Sequence, residues 1–341
     1  MRALVIVVAV MIFLVCNFSA AWAADPKAAQ NRKLYEKSCK AGKAIDCYGF
    51  GLMLYRGEGG PADAFKARTV LTKGCDGDSM EACYLLGLLY SKGEGGPVEK
   101  AKARECYKKA CDKGSAPSCY NLASSFEAGT GGERDADQAH ELYAKACDTG
   151  NVTACRDLAD TYANPSGKAW NPSKSREFYD KACTYMDAQS CYTLGEIYEL
   201  GRDVTKNLAT GRIYFEKACD RNHYEGCFHV GELIENASTG PSDLKKSWEF
   251  YERACLGGFP AGCYNLGSMC SKGLTKPADK AEARRWYEKA CDAKFAAACF
   301  NLAVLYTKGD GGPKDQVKGK ELFQKACDLG IKPSCRYGVT E

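Results

Sequence analysis

The stretch CDKGSAPSC, residues 111–119, carries two cysteines eight positions apart around a short polar turn sequence. The same frame returns as CDTGNVTAC, CTYMDAQSC, CDRNHYEGC, CLGGFPAGC, CDAKFAAAC and CDLGIKPSC. The first cysteine of each pair falls at 39, 75, 111, 147, 183, 219, 255, 291 and 327, a step of 36 residues every time. A fixed period of that length marks a repeat array, so length alone does not set a domain count. Residues 24–341 are expected to form a single domain of about eight repeats.

One unit shows why the period exists. In residues 116–148, Cys119, Leu122, Ala123 and Phe126 recur at helical spacing, and Gly129, Gly131 and Gly132 then break the helix. Ala139, Leu142, Tyr143 and Ala146 form a second stripe that ends near Asp148 and Gly150. Each unit therefore reads as a helical hairpin, and the expected fold class is all-α. A column of small residues, Gly51, Gly87, Ala123, Ala159, Gly195, Gly231, Gly267 and Ala303, lies inside the first helices. Mid-helix Gly costs about 1 kcal/mol relative to Ala, so close approach of two helix backbones is the expected reason for it. A lone hairpin cannot bury its apolar stripe, whereas stacked hairpins form a solenoid. The frame places the repeats at about 44–78, 79–114, 115–150, 151–186, 187–222, 223–258, 259–294 and 295–330. A half-repeat helix at 27–40 precedes them and a stub follows Cys335.

On one helix, residues eight apart are separated by roughly 12 Å, too far for a disulfide, which needs Cα atoms within roughly 7 Å. The two cysteines of a pair must lie on successive helices, with the polar stretch turning between them. The expected bonds are Cys39–Cys47, Cys75–Cys83, Cys111–Cys119, Cys147–Cys155, Cys183–Cys191, Cys219–Cys227, Cys255–Cys263, Cys291–Cys299 and Cys327–Cys335. Metal binding is the weaker reading, because His140, His223 and His229 do not recur with the pairs. No C-x-x-C redox motif occurs either. Cys106 and Cys270 stand outside the frame, at positions where other repeats carry large apolar residues, and are expected as free thiols buried in the core.

Residues 1–23 read as a signal peptide: Arg2, an apolar run from Ala3 to Val15, then Ala21-Trp22-Ala23 as a cleavage site. Without Cys16 the cysteine count is even, as an exported disulfide framework requires. The mature chain shows no apolar stretch long enough for a membrane span. A net charge of +4, with both signs mixed, gives no concentrated basic face, so nucleic acid is not an expected partner. Export to the periplasm or the medium, as a monomer, is expected.

The 36-residue period, the LG…Y pattern of YLLGLLYSKGEGG and YTLGEIYELG, and the KAC ending of the second helices resemble Sel1-like repeats, relatives of the tetratricopeptide repeat. With a cysteine pair in every unit and a leader, the chain resembles the exported cysteine-rich protein family of Helicobacter. That resemblance covers about residues 27–338. It implies an α/α solenoid coiled as a right-handed superhelix and stapled by one C-x7-C disulfide per repeat. It also implies an adaptor that binds a protein or peptide, and, because some members of that family have been assigned the activity, an alternative role as a weak β-lactamase or penicillin-binding hydrolase. In tetratricopeptide relatives the residue before the conserved Leu points into the concave groove. Here that column reads Gly49, Leu85, Asn121, Asp157, Thr193, His229, Asn265 and Asn301, and its polar members from Asn121 onward are the candidate binding residues. The preceding column is largely aromatic (Tyr48, Tyr84, Tyr120, Tyr192, Phe228, Tyr264, Phe300), and ring packing between helices explains it as well as ligand contact does.

No catalytic constellation accompanies the repeats. Ser242-Asp-Leu-Lys245 matches S-x-x-K, but neither S-D-N nor K-T-G occurs, and Ser242 is expected to cap a helix. No cofactor, metal site or catalytic residue is expected. A non-catalytic binding scaffold is the leading reading.

Overall fold

A computed structural model describes residues 26–338. The proposed leader, with Cys16 in it, lies outside the described residues. Nearly every described residue belongs to a helix or a tight connection, and no strand occurs among them. The chain forms two compact units, one through Asp160 and one from Thr161. The first contains α1 (Pro26–Lys40) and the hairpins α2–α3 (Ala44–Arg56, Ala64–Asp76), α4–α5 (Met80–Lys92, Lys100–Asp112) and α6–α7 (Ala116–Ala128, Ala136–Asp148). The unit boundary falls within α8 (Val152–Ala163). The second contains α9 (Pro172–Thr184) and the hairpins α10–α11 (Ala188–Leu200, Leu208–Asp220), α12–α13 (Tyr224–Glu235, Leu244–Leu256), α14–α15 (Pro260–Lys272, Lys280–Asp292) and α16–α17 (Ala296–Lys308, Gln316–Asp328). A single 3-10 turn (Lys332–Ser334) and α18 (Cys335–Gly338) close it.

Local chemistry repeats along with the helices. Seven of the eight hairpins' second helices begin one residue after a short acceptor: Asp63, Asp135, Asn171, Asn207, Asp243, Asp279 and Asp315 each accept a hydrogen bond from the backbone N–H three residues on, whereas Glu99 before α5 makes no such bond. A short acceptor there satisfies an amide that has no partner within the helix. This corrects one expectation. The cap of α13 is Asp243, while Ser242 Oγ donates to the Glu235 carbonyl at 3.1 Å, closing the preceding loop. The frame explains the difference: position 243, not 242, falls in the 36-residue column.

All nine expected disulfides are present, each joining the end of one second helix to the next first helix, with Cα atoms 4.5–4.9 Å apart. Closing so short a loop removes about 2.5 kcal/mol of unfolded-state freedom on the chain-entropy model. Nine such bonds fit an oxidising, extracytoplasmic compartment. Among the described residues no helix is long and apolar enough to cross a membrane.

The glycine column has a different cause from the one expected. A Cβ on Gly195 would stand 2.5 Å from the Phe215 ring, and one on Gly87 would stand 2.6 Å from the Tyr107 ring. The same clash arises between Gly231 and Tyr251 and between Gly267 and Tyr287. What comes close is a side chain from the second helix of the same repeat, seated flat on the bare backbone of the first. The missing Cβ lets a large ring into the centre of the hairpin, and Phe215 and Tyr251 are fully buried there.

Candidate binding face

The aromatic column at the start of the first helices packs inward. Tyr120, Tyr192, Phe228, Tyr264 and Phe300 lie 5.4–5.8 Å, centroid to centroid, from Tyr143, Phe215, Tyr251, Tyr287 and Phe323 of their own repeats. Three of these phenols also reach the next repeat. Tyr120 Oη donates to Asp157 at 3.0 Å, Tyr192 Oη lies 3.3 Å from His229 Nε2, and Asn301 Nδ2 lies 3.5 Å from Tyr264 Oη. The polar column is thus stitched to the aromatic one across repeats. Asn121, Asp157, Thr193, His229, Asn265 and Asn301 are all half-buried. Phe228 has no hydroxyl to offer Asn265, whose side chain lies instead beside the phenol of Tyr251.

The centre of this face in the second unit is acidic. Helices α10 and α12 contain Glu196, Glu199, Glu225, Glu232 and Glu235 and no Lys or Arg. His229 Nδ1 lies 3.8 Å from Glu199 and 3.9 Å from Glu232, so its ring sits between two carboxylates. Burial, reinforced by the charges of Glu199 and Glu235, raises the Glu232 carboxyl above its usual range against the pull of His229. Glu235 accepts from Tyr251 Oη at 2.6 Å. Burial lowers the pKa of His223, which stacks on Tyr192 at 4.3 Å and caps α12 through Nδ1. A half-buried carboxylate cluster with one imidazole favours cationic partners.

Cys106 and Cys270 are buried and unpaired. Burial pushes their thiols up to about 11 and about 12 respectively, so neither is a thiolate at neutral pH. Among the described residues no group of three or more His, Cys, Asp or Glu is arranged to hold a metal.

One set of residues escaped the sequence reading although it obeys the same period. Arg32, Arg68, Arg104, Arg176, Arg212 and Arg284 occupy one column of the second helices, and each reaches the loop of the following repeat. Arg68 bonds the Pro97 carbonyl at 2.9 Å and stacks on Tyr90 at 4.2 Å. Arg104 stacks on Phe126 at 3.4 Å and Arg284 on Tyr306 at 4.2 Å. The Gly-rich loops are shaped to this latch. A Cβ on Gly95 would meet the Ala64 carbonyl oxygen at 2.2 Å, and one on Gly96 would meet the Arg68 guanidinium at 2.1 Å. The signal was available as an Arg at six positions of one 36-residue column, followed one loop later by G-x-G-G after Arg32, Arg68, Arg104 and Arg284.

These features define a class: helical-hairpin repeats, disulfide-stapled at every joint and latched by arginine. A family model for the Sel1 repeat matches residues 45–78, 81–115, 116–151, 152–184, 188–223, 225–259, 260–295 and 296–331. The chain belongs to the Sel1 repeat family. Among solved structures it resembles a Sel1 repeat protein from Oxalobacter formigenes at 20% identity, covering 89% of this chain and 88% of that one, with a TM-score of 0.63. It also resembles a protective antigen of uropathogenic Escherichia coli displaying an SLR fold, at 24% identity over 88% of this chain and 72% of that one, with a TM-score of 0.62. Helicobacter pylori cysteine rich protein B matches at 29% identity over 40% of this chain and 98% of its own, with a TM-score of 0.33. No curated protein sequence matches the chain.

Proposed function

We propose that the chain is an exported, non-catalytic scaffold that binds a protein or peptide along the face formed by its first helices. Asn121 and Asp157 would contact the partner in the first unit, and Thr193, His229, Asn265 and Asn301 in the second. The observation that carries this reading is the acidic cluster around His229, which favours a basic segment lying over α10 and α12. The column's half-burial leaves each side chain some polar capacity toward solvent even where one bond goes to a neighbouring phenol. The hydrolase alternative gains no support from Ser242, whose hydroxyl is spent on the last carbonyl of α12 and which lies exposed beside a helix start. Periplasm and external medium are equally compatible with this role.

The test is photo-crosslinking from position 193 or 265 in the native cell envelope, followed by binding measurements with the recovered segment. Binding should weaken at least tenfold in Glu199→Lys/Glu232→Lys protein that retains its helical circular dichroism. A partner that binds the double variant as tightly as the parent would refute the acidic face as its site.

A further inference from the structure

The Arg latch is rebuilt in one repeat of the second unit, and the rebuilding opens a groove. At the position where six helices of the column carry Arg, and α7 and α17 carry His140 and Lys320, α13 carries Trp248. The residue 22 positions on is Tyr90, Phe126 or Tyr306 beneath Arg68, Arg104 and Arg284, but after Trp248 it is Cys270. The large ring has moved from the first helix to the second. The cation has moved as well: Lys276, in the loop Gly273-Leu-Thr-Lys-Pro277, points back so that its Nζ stands 5.3 Å from the Trp248 ring centroid and pairs with Glu282. Trp286 of α15 meets Trp248 edge-on at 6.3 Å. Both indoles help line a groove of about 440 Å3, together with Lys245, Glu249, Glu252, Lys276 and Glu282.

We propose that this groove accepts the ammonium of a lysine side chain from a basic peptide segment of a partner, in exchange for Lys276. Three carboxylates line it against two ammonium groups, so displacement of Lys276 leaves a net negative pocket walled by indole. An ammonium held over an indole face and flanked by carboxylate is a favourable arrangement, and Lys276 shows that this site holds one. Lys276 is half-exposed and hangs from a loop, so it can swing out without unpacking a helix. Lys289 approaches the Trp286 ring at 6.0 Å from its own helix and shares that second indole. The groove lies on second helices, and the inference does not depend on the first-helix face.

The experiment is a titration of the oxidised mature chain, residues 24–341, carrying Trp170→Phe and followed through the indole N–H resonances of Trp248 and Trp286. The probe is a blocked Gly-Lys-Gly-Lys-Gly peptide, with its norleucine counterpart as the neutral control. The lysine peptide should shift both indole resonances saturably and the norleucine peptide should not. Lys276→Ala should tighten binding roughly fivefold by removing the tethered competitor, and Glu249→Gln/Glu252→Gln should weaken it by a similar factor. Both substitutions lie at the surface and should leave the remaining amide spectrum in place. Absence of a saturable shift, equal shifts with the norleucine peptide, or a Lys276→Ala affinity equal to the parent's would each overturn the proposal.

Discussion

Arg68 and Trp248 stand at the same position of repeats five periods apart, and their surroundings differ in a correlated way. Around Arg68, an aromatic ring lies below, a guanidinium lies on it, and a loop too close to take a Cβ at Gly95 folds over both. Around Trp248, the ring is on the second helix, a thiol fills the space below, and the loop supplies the cation. The loop position matching Gly95 is Thr275, which already carries a side chain. Cation, ring and loop are one packing unit. When one part changes the others change with it, and the version that gives up the tight loop gains an accessible groove.

The largest effect that tests this comparison is expected at the loop. Gly95 has φ +77 and faces the Ala64 carbonyl, so Gly95→Ala should cost about 3 kcal/mol from strain and overlap together. Thr275→Gly should cost less than about 1 kcal/mol. Urea denaturation of both variants checks the pair, and similar losses would show that the two loops are equally constrained. Next in size is the latch itself. Arg68→Met, which removes the carbonyl bond, the Glu99 ion pair and the ring contact, should cost about 2 kcal/mol, and Arg68→Lys should recover less than half of it. Conversely, Trp248→Arg alone should destabilise, and adding Cys270→Tyr should restore at least about 1 kcal/mol of coupling. An additive double-mutant cycle would break the idea that ring and cation trade places.

The hairpins, the joints and the two unpaired thiols were legible in the sequence because each is a local consequence of residue spacing. The Cys column forces two helices together, and a Gly inside a helix demands an explanation that only packing supplies. What lay over the glycine was not legible. A bare backbone admits either another backbone or a ring, and spacing alone does not distinguish Phe215 lying on Gly195 from a second helix lying there. The Arg column was legible in principle, but its partner is a backbone carbonyl about 29 residues away, which leaves no complementary residue type to notice. The candidate binding column was located by position, while its bonds to the phenols of the preceding repeats emerged only from three-dimensional placement.

The two unpaired thiols give a smaller effect, and one of them, Cys270, lies beneath Trp248. With pKa values raised to about 11 and about 12, Cys106 and Cys270 should resist iodoacetamide at pH 8 by at least roughly a hundredfold relative to a free peptide thiol, and about two thiols should label after denaturation. Because the folded thiols hold their protons longer than the unfolded ones, stability should begin to fall as pH rises past the ordinary thiol range near 9. Cys106→Ala/Cys270→Ala should flatten that part of the profile. Rapid labelling of Cys270 alone would mean that Trp248 does not cover it.

The smallest effect separates two neighbouring residues at the start of α13. Asp243 accepts from the Lys246 N–H at 3.0 Å, and Asn207 does the same for Thr210 at the start of α11. Replacing either with Ala leaves an amide of the first turn unpaired and should cost about 1 kcal/mol. Ser242→Ala removes only an exposed hydroxyl's bond to the last carbonyl of α12 and should cost about 0.5 kcal/mol or less. If Ser242→Ala proved the more damaging, the repeat frame would be off by one residue in this unit. The Trp248 position, counted from the same frame, would then lose its correspondence with Arg68.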